Sequence, residues 1–163
     1  MAGAGQGIRL PSVSLPATDG SMIDLAKRPG RLLLIVYPYT GRPGHPNPPR
    51  WDETEGAHGS TPELEGFRDL ADDFAARGIA LFGLSRQNTG WQSELAERLE
   101  LTFPLLSDRE DRLWPALGLE TFETGGEIYL ARITLLIEDG IVLRRFHAPD
   151  PANHAARMLT LLR

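Results

Sequence analysis

The chain has 163 residues, of which 41% are hydrophobic and 24% charged, enough for a sizeable core in one domain spanning residues 1–163. Its formal net charge of -5 argues against nucleic acid or an anionic membrane as a partner, because both attract basic surfaces. The lack of cysteine excludes a disulfide framework and a cysteine metal site.

We expect no secretion signal at the start of the chain. Residues 1–7 have neither the basic start nor the apolar stretch of a secretion signal, and no apolar run in the chain is long enough to cross a bilayer. We therefore expect a flexible segment over residues 1–7, no contact with a membrane, and a cytoplasmic location.

Strand signals come first along the chain. Val13 and Leu15 lie in an extended segment that turns at an Asp-Gly pair and returns, which predicts an N-terminal β-hairpin. Residues 31–37 form a nearly continuous apolar run, typical of a central strand covered on both faces. The proline- and glycine-rich segment 38–59 excludes helix and sheet interior, and loops this long in compact domains are usually functional or disordered.

Helices and strands alternate through the rest of the chain. A helix is predicted to begin at Ser60 or Thr61 and to stop at Gly78. The other predicted elements are strands at 79–84, 103–106, 130–137 and 141–146, and helices at 91–99, 111–117 and 153–162. This order predicts an α/β fold, a mixed sheet with helices on both faces.

Residues 59–63, Gly-Ser-Thr-Pro-Glu, resemble the active-site turn of peroxiredoxins of the bacterioferritin-comigratory type, in the AhpC/TSA superfamily. That turn normally reads Gly-Cys-Thr at its start. Shorter matches in the same order, such as Phe-Pro-Leu-Leu-Ser-Asp at 103–108, extend the resemblance over nearly the whole chain. The resemblance implies a thioredoxin-like fold, with a central mixed sheet flanked by helices and an N-terminal β-hairpin. It also implies a thiol peroxidase whose cysteine position holds Ser60.

The resemblance also suggests roles for four further residues. Arg132 matches the arginine that helps to hold the cysteine and the peroxide, and Glu63 matches a helix glutamate able to orient that arginine. Pro38 matches the proline that shields the nucleophile from water. The family commonly has threonine or serine three residues before the cysteine, where this chain has Ala57. We therefore predict that Thr40 supplies the hydroxyl instead.

Peroxide reduction needs a thiolate. At position 60 the amides and the partial positive charge of a helix N-terminus would lower a thiol pKa, and Arg132 would add a fixed cation. The resemblance implies no cofactor and no metal. Because Glu65 occupies the usual resolving-cysteine position, it implies a one-cysteine peroxidase that uses hydrogen peroxide or organic hydroperoxides. The oxidised cysteine would be reduced by thioredoxin, a glutaredoxin system or a small thiol, in a monomer or a homodimer.

Residue types alone leave simpler interpretations open. Ser60 and Glu63 fit the S-x-x-E capping box, which would make both purely structural. Arg132 fits an exposed arginine on an edge strand. His58 could serve as the base of a serine hydrolase, although the chain has no G-x-S-x-G elbow and no evident third partner.

Two hypotheses explain the serine at position 60. In the first, which we favour, the natural enzyme has cysteine there and this chain is a Cys-to-Ser mutant that cannot be oxidised and is inactive. The flanking residues, which keep the pattern expected around a working cysteine, motivate it. In the second, the chain is a natural cysteine-less pseudoenzyme that acts as a thioredoxin-like binding module.

Overall fold

The structure, a computed structural model, describes residues 7–162. Its helices and strands are, in chain order, β1 (Leu15–Pro16), β2 (Met22–Ile23), β3 (Arg31–Val36), α1 (Ser60–Asp69), α2 (Ala71–Ala76), β4 (Ile79–Ser85), α3 (Thr89–Arg98), β5 (Leu105–Ser107), β6 (Thr121–Thr124), β7 (Glu127–Leu130), β8 (Ile133–Glu138), β9 (Ile141–Phe146) and α4 (Pro151–Leu161). Short 3-10 helices lie at Leu25–Lys27 and Trp51–Glu53. None of the helices in this part of the chain has the length and apolar character needed to cross a membrane.

The apolar run predicted as a central strand forms β3. This strand pairs in parallel with β4 and antiparallel with β8, within a five-stranded sheet of order β5-β4-β3-β8-β9. Successive side chains of a strand point to opposite faces, and the leucines at 32 and 34 belong to one buried cluster while Leu33 and Ile35 belong to the other. The predicted α/β class and mixed sheet are confirmed.

The two faces of the sheet are covered differently. Buried residues of all four α-helices pack on the face that carries Leu33. The opposite face is covered by the N-terminal segment, the first 3-10 helix and residues 113–119. The helix predicted at 111–117 forms turns instead, because the Asp108 carboxylate accepts the backbone amides of residues 112–114 at 2.7 to 3.1 Å.

The N-terminal hairpin is present but short. Strands β1 and β2 pair antiparallel, with Leu15 opposite Ile23. The segment expected to be flexible, residues 1–7, lies outside the described residues except for Gly7, whose amide donates to the Val142 carbonyl at 2.6 Å. The predicted N-terminal hairpin is confirmed by the pairing of β1 with β2. The expected flexibility of residues 1–6 stays a prediction.

Two predicted elements are each divided in the structure. The helix predicted from residue 60 to Gly78 breaks at Leu70, where φ is -105° and ψ is 9°, and becomes α1 and α2. The strand predicted over 130–137 is also two elements, because Leu130 ends β7 and Ile133 begins β8. Arg132 therefore lies in a connection between strands and not within an apolar strand.

The β6–β7 hairpin was not predicted. Its two turn residues, Gly125 and Gly126, both have positive φ, at 60° and 78°, as a two-residue type I′ turn requires. The Gly-Gly pair between short segments with aromatic residues was the sequence signal for it. This hairpin leads directly to Arg132 and so positions that residue just before β8.

The sheet register brings three chain segments to one edge. Val36, the last residue of β3, pairs with Ile133, the first residue of β8. Since β4 runs parallel to β3, its last residue, Ser85, lies at the same edge. The segments after β3 and β4 and the residue before β8 therefore meet there.

Candidate active site

Ser60 is the first residue of α1. It is 2% exposed, and its hydroxyl oxygen makes no hydrogen bond to any described residue. The helix is capped by Gly59, whose φ is 110° and whose carbonyl accepts the Glu63 amide at 3.0 Å. The capping-box interpretation is therefore wrong, and the Ser60 hydroxyl has no structural partner that explains it.

Arg132 joins the two sides of the Ser60 turn. One terminal nitrogen, Nη1, donates to Glu63 Oε1 at 2.8 Å, and the other, Nη2, donates to the His58 carbonyl at 2.9 Å. The side chains of Arg132 and Glu63 are 6% and 0% exposed. Glu63 is therefore in a position to orient this arginine, and the alternative of an exposed edge arginine is wrong.

The Arg132–Glu63 pair is buried where charges are costly. Burial raises the pKa of Glu63 to about 7, although the positive charge and hydrogen bond of Arg132 act in the opposite direction. Its second oxygen, Oε2, has no hydrogen-bond partner among the described residues. The pair thus depends on the single charge-assisted bond to Arg132.

A buried histidine lies behind this pair. His154, in α4, is 2% exposed and shares a 2.9 Å hydrogen bond between its Nε2 and the Thr134 hydroxyl, while its ring packs edge-on against Phe67. Burial, assisted by the charges of Arg132 and Arg157, lowers the pKa of His154 to about 4. The histidine is therefore neutral at pH 7.

Glu63 and His154 should give opposite pH dependences of stability. Because burial raises the pKa of Glu63 from 4.5 to about 7, the folded state holds its proton longer, so this group's contribution to stability falls as pH rises over that interval. The lowered pKa of His154 makes its contribution rise with pH between about 4 and 6.5. We expect the two slopes nearly to cancel in the unchanged protein.

Urea unfolding at several pH values checks this prediction. With Glu63→Gln, the free energy of unfolding should rise from pH 4.5 to 6.5. With His154→Gln, it should fall between pH 4.5 and 7, by on the order of 2 kcal/mol. A Glu63→Gln protein with the same flat profile as its parent would show that this carboxyl titrates alike in both states.

Thr40 and Pro38 lie at the same sheet edge, beyond the end of β3. Both are buried. The Thr40 amide donates to Gln87 Oε1 at 3.2 Å, and its carbonyl accepts from Gln87 at 3.1 Å and from Trp91 Nε1 at 2.7 Å. The Thr40 hydroxyl, like that of Ser60, has no hydrogen-bond partner in the described part of the chain.

A pocket of about 400 Å³ connects these two hydroxyl-bearing segments. Its walls include Tyr39 and Gly41, the neighbours of Thr40, as well as Gly59 and Thr61, the neighbours of Ser60. The structure thus brings Glu63 and Arg132 into contact beside Ser60. It places Thr40 and Pro38 nearby without a hydrogen bond to any of the three.

Sequence reasoning missed an aromatic cluster at this edge. The Trp51 ring lies 5.2 Å from Tyr39, 5.1 Å from Tyr129 and 5.8 Å from Phe122, measured between ring centroids. Two of the partners, Phe122 and Tyr129, face each other across the β6–β7 hairpin. The cluster could not be predicted without knowledge of that hairpin. Its ring contacts pack the long loop 38–59 against the hairpin.

A second missed residue is Arg86, which directly follows β4. Its side chain is 10% exposed and bonds to Asp111 at 2.6 Å, to Glu127 at 2.8 Å and to the Ile128 carbonyl at 2.6 Å. The signal was an arginine immediately after a buried strand. The Arg86 side chain links the β6–β7 hairpin to the end of β4.

The serine hydrolase alternative finds no support in this geometry. The His58 side chain is 56% exposed, and its Nε2 contacts Asp52 Oδ1 at 2.7 Å. The Ser60 hydroxyl makes no hydrogen bond to His58 or to any other described group. A Ser-His pair able to transfer a proton is therefore not formed.

The mixed sheet, with a buried hydroxyl at a helix N-terminus and an arginine from the adjacent strand connection, defines a thioredoxin-like protein of the thiol-peroxidase class. The family model described as Redoxin matches residues 5–162. The chain therefore belongs to the Redoxin family and is a peroxiredoxin of the bacterioferritin-comigratory type.

Individual relatives agree with this assignment. The peroxiredoxin Bcp of Escherichia coli K12 is 29% identical over 160 residues, which cover 94% of this chain and 92% of the relative. The crystal structure of peroxidoxin BcpB from Mycobacterium tuberculosis is 26% identical, with a TM-score of 0.72 and 97% of each chain covered. A cysteine-to-serine mutant of PrxQ from Xylella fastidiosa shares the fold, with 21% identity, a TM-score of 0.78 and coverage of 99% of this chain and 96% of that one.

Proposed function

We propose that the cysteine-bearing form of this chain is a one-cysteine thiol peroxidase that reduces hydrogen peroxide or organic hydroperoxides at position 60. The observation that carries the proposal is the Arg132 guanidinium, bonded to the His58 carbonyl on one side of position 60 and to Glu63 on the other. Membership of the Redoxin family supports it.

In the proposed reaction the thiolate sulfur attacks one peroxide oxygen. The S–O bond forms as the O–O bond breaks, and the second oxygen leaves as hydroxide or alkoxide and takes up a proton. The first amides of α1 and the positive charge of Arg132 stabilise the negative charge on both sulfur and leaving oxygen. Glu63 holds Arg132 in place, while Pro38 limits water and Thr40 offers its free hydroxyl.

The cycle is completed by an external thiol. One reductant thiol attacks the sulfenic acid, releases water and forms a mixed disulfide, and a second thiol restores the cysteine. Thioredoxin, a glutaredoxin system or a small thiol would serve, and the cytoplasm, where such reductants keep thiols reduced, is the proposed location. The proposed assembly is a monomer or a homodimer of single-domain chains.

The chain with Ser60 is inactive in this proposal, because a hydroxyl oxygen cannot pass through the sulfenic acid stage. The buried Ser60 hydroxyl, which has no hydrogen-bond partner among the described residues, supports a Cys-to-Ser mutant. Serine has nearly the shape of cysteine, and no hydrogen bond at this position requires a hydroxyl. The competing hypothesis is a natural cysteine-less binding module. The codon for residue 60 in the source genome decides between the two.

The direct test is Ser60→Cys, followed by hydrogen peroxide consumption with a thiol reductant. We expect turnover that the Ser60 protein lacks, and a cysteine that reacts with iodoacetamide at pH values below the usual thiol range. Ser93→Cys is the matched control, because it places an exposed cysteine within helix α3, away from a helix N-terminus and from Arg132. Equal turnover for the two cysteine proteins would contradict the proposal.

The role of Thr40 has its own prediction. In the Ser60→Cys protein, Thr40→Ala should lower the rate constant for peroxide by about tenfold, the effect of losing one hydrogen bond to a charged group. Thr40→Ser retains the hydroxyl and should keep most of the rate. Stopped-flow oxidation of the cysteine measures both variants, and an unchanged rate for Thr40→Ala would show that this hydroxyl has no part in the reaction.

A further inference from the structure

The pocket beside the first turn of α1 is lined by two cationic side chains. Arg42 and Arg98 both line it, together with Thr61 from α1. Neither arginine belongs to the peroxidase site described above. Their chemistry is separate from that of the buried Arg132, which does not line this pocket.

The two arginines differ in how their donors are used. Arg98 bonds to Glu94 at 2.9 and 3.1 Å and to the Gly41 carbonyl at 2.8 Å. Arg42 reaches Glu94 only through its Nε, at 3.4 Å, and its terminal nitrogens donate to no described residue. Arg98 thus already uses one of its two terminal nitrogens, whereas both terminal nitrogens of Arg42 make no hydrogen bond to a described residue.

Arg42 is also held in place without using those donors. Its guanidinium lies over the Trp91 ring, 4.3 Å from the centroid, in a cation–π contact. Trp91 is itself fixed by the bond from its Nε1 to the Thr40 carbonyl at 2.7 Å. A guanidinium fixed on an aromatic ring loses little conformational freedom when it binds a ligand.

The pocket favours negative charge although the whole chain carries -5. Among the described residues that line it there is no aspartate or glutamate, while the helix N-terminus at Gly59 and Thr61 adds a partial positive charge. Glu94, the acid shared by the two arginines, is not part of the wall.

The rest of the wall combines polar groups, the Asn47 side chain among them, with aromatic and aliphatic surface. Tyr39 and Trp51 line the pocket with their rings in edge contact, 5.2 Å between centroids, and Pro43 and Pro62 add aliphatic surface. A free phosphate or chloride ion would leave this surface unused. The combination fits a ligand with one anionic group and an apolar or aromatic body.

We propose that this pocket binds small organic carboxylates. The terminal nitrogens of Arg42 donate to the carboxylate, in the bidentate manner that a guanidinium favours, and Tyr39 and Trp51 pack against the apolar body. Binding requires no cysteine at position 60, so it is a property of the chain with Ser60 and goes beyond the peroxidase function.

Isothermal titration calorimetry of the Ser60 protein with 3-phenylpropionate tests the proposal. The neutral isostere 3-phenylpropanamide is the matched ligand. We expect the carboxylate to bind at least about tenfold more tightly than the amide, and Arg42→Gln to remove that difference. Arg42→Lys should restore part of it, because it keeps the charge and loses the paired donors.

Arg28→Gln is the control variant. Arg28 also stacks on an aromatic ring, 4.8 Å above Phe82, but it lies outside this pocket, so its loss should leave the affinity unchanged. Glu94→Gln gives an independent measurement in case Arg42→Gln folds poorly, and it should tighten carboxylate binding by removing the competing acid. Equal affinities for acid and amide, an Arg42→Gln protein with undiminished preference, or no gain with Glu94→Gln would overturn the proposal.

Discussion

In the Ser60→Cys protein, replacing Arg132 by methionine is expected to lower the second-order rate constant for peroxide by about a hundredfold to a thousandfold. Loss of one preorganised donor at a developing anion typically has an effect of about this size. Here the lost group also carries the positive charge beside position 60. Methionine keeps much of the length and apolar contact of the arginine stem, so the change removes charge and donors more than packing.

The same substitution should also destabilise the protein. Glu63 is fully buried, and without Arg132 its carboxylate has no partner, so its pKa should rise further above the ordinary range. Breaking a buried ion pair on one side typically costs about 3 kcal/mol or more. Urea unfolding at pH 8 should show this loss, and it should shrink at pH 5, where Glu63 is protonated.

A double variant separates the two effects. Arg132→Met with Glu63→Gln removes the isolated buried charge as well, so the free energy of unfolding should recover while the rate stays low. Stopped-flow oxidation of Cys at position 60 and urea unfolding are measured on the same preparations. If the rate recovers together with stability, Arg132 acts only by holding the fold.

Replacing Gly59 by alanine is expected to lower the free energy of unfolding by about 3 kcal/mol. Gly59 has φ of 110°, a conformation that side chains rarely adopt and that costs about 1 kcal/mol or more. A Cβ there would also lie 2.7 Å from Pro151 Cγ and 2.9 Å from its Cβ, which forces α4 to shift. The two costs fall on the residue that caps α1.

Gly44→Ala is the matched control for this substitution. Gly44 has φ of 82° in the same loop, with open space where its Cβ would be placed, so only the backbone cost of about 1 kcal/mol should remain. Adding Pro151→Ala to Gly59→Ala should recover part of the lost stability. Urea unfolding of the parent, Gly59→Ala, Pro151→Ala and the double variant measures the coupling between the two positions. Equal losses for Gly44→Ala and Gly59→Ala would show that the contact with Pro151 is unimportant.

The parts of the fold predicted from sequence are those with a local signal. The apolar run of β3, the start of α1 beside Pro62 and the stop at Gly78 each depend on residues close together in the chain. The missed change from helix to turns at 111–117 depends on the hydrogen bonds of one side chain. The Asp108 carboxylate accepts the backbone amides of residues 112–114, a competition with helix formation that apolar spacing does not reveal.

The site shows the same division. A contact between Glu63 and Arg132 was suggested by the resemblance, and the two buried side chains form an ion pair. The capping-box interpretation failed because the Glu63 side chain points toward Arg132 and not back to the start of the helix. The free donors of Arg42 could not be predicted, because they depend on how the loop 38–59 folds over Trp91. The roles of Thr40 and Pro38 stay predictions.

The close contact between α1 and α4 has a consequence for how the site can move. Gly59 abuts Pro151, and Gly66 lies so near that an added Cβ would be 3.5 Å from both the Ala152 carbonyl and Ala155. The two helices should consequently open and close as one cooperative unit. A disulfide between positions 60 and 65 would require α1 to unwind, since Cα atoms five residues apart in a helix exceed the roughly 7 Å that a disulfide spans. With glutamate at position 65 no such disulfide can form, so α1 does not have to unwind. The close packing of its first turn against α4 is then compatible with a catalytic cycle.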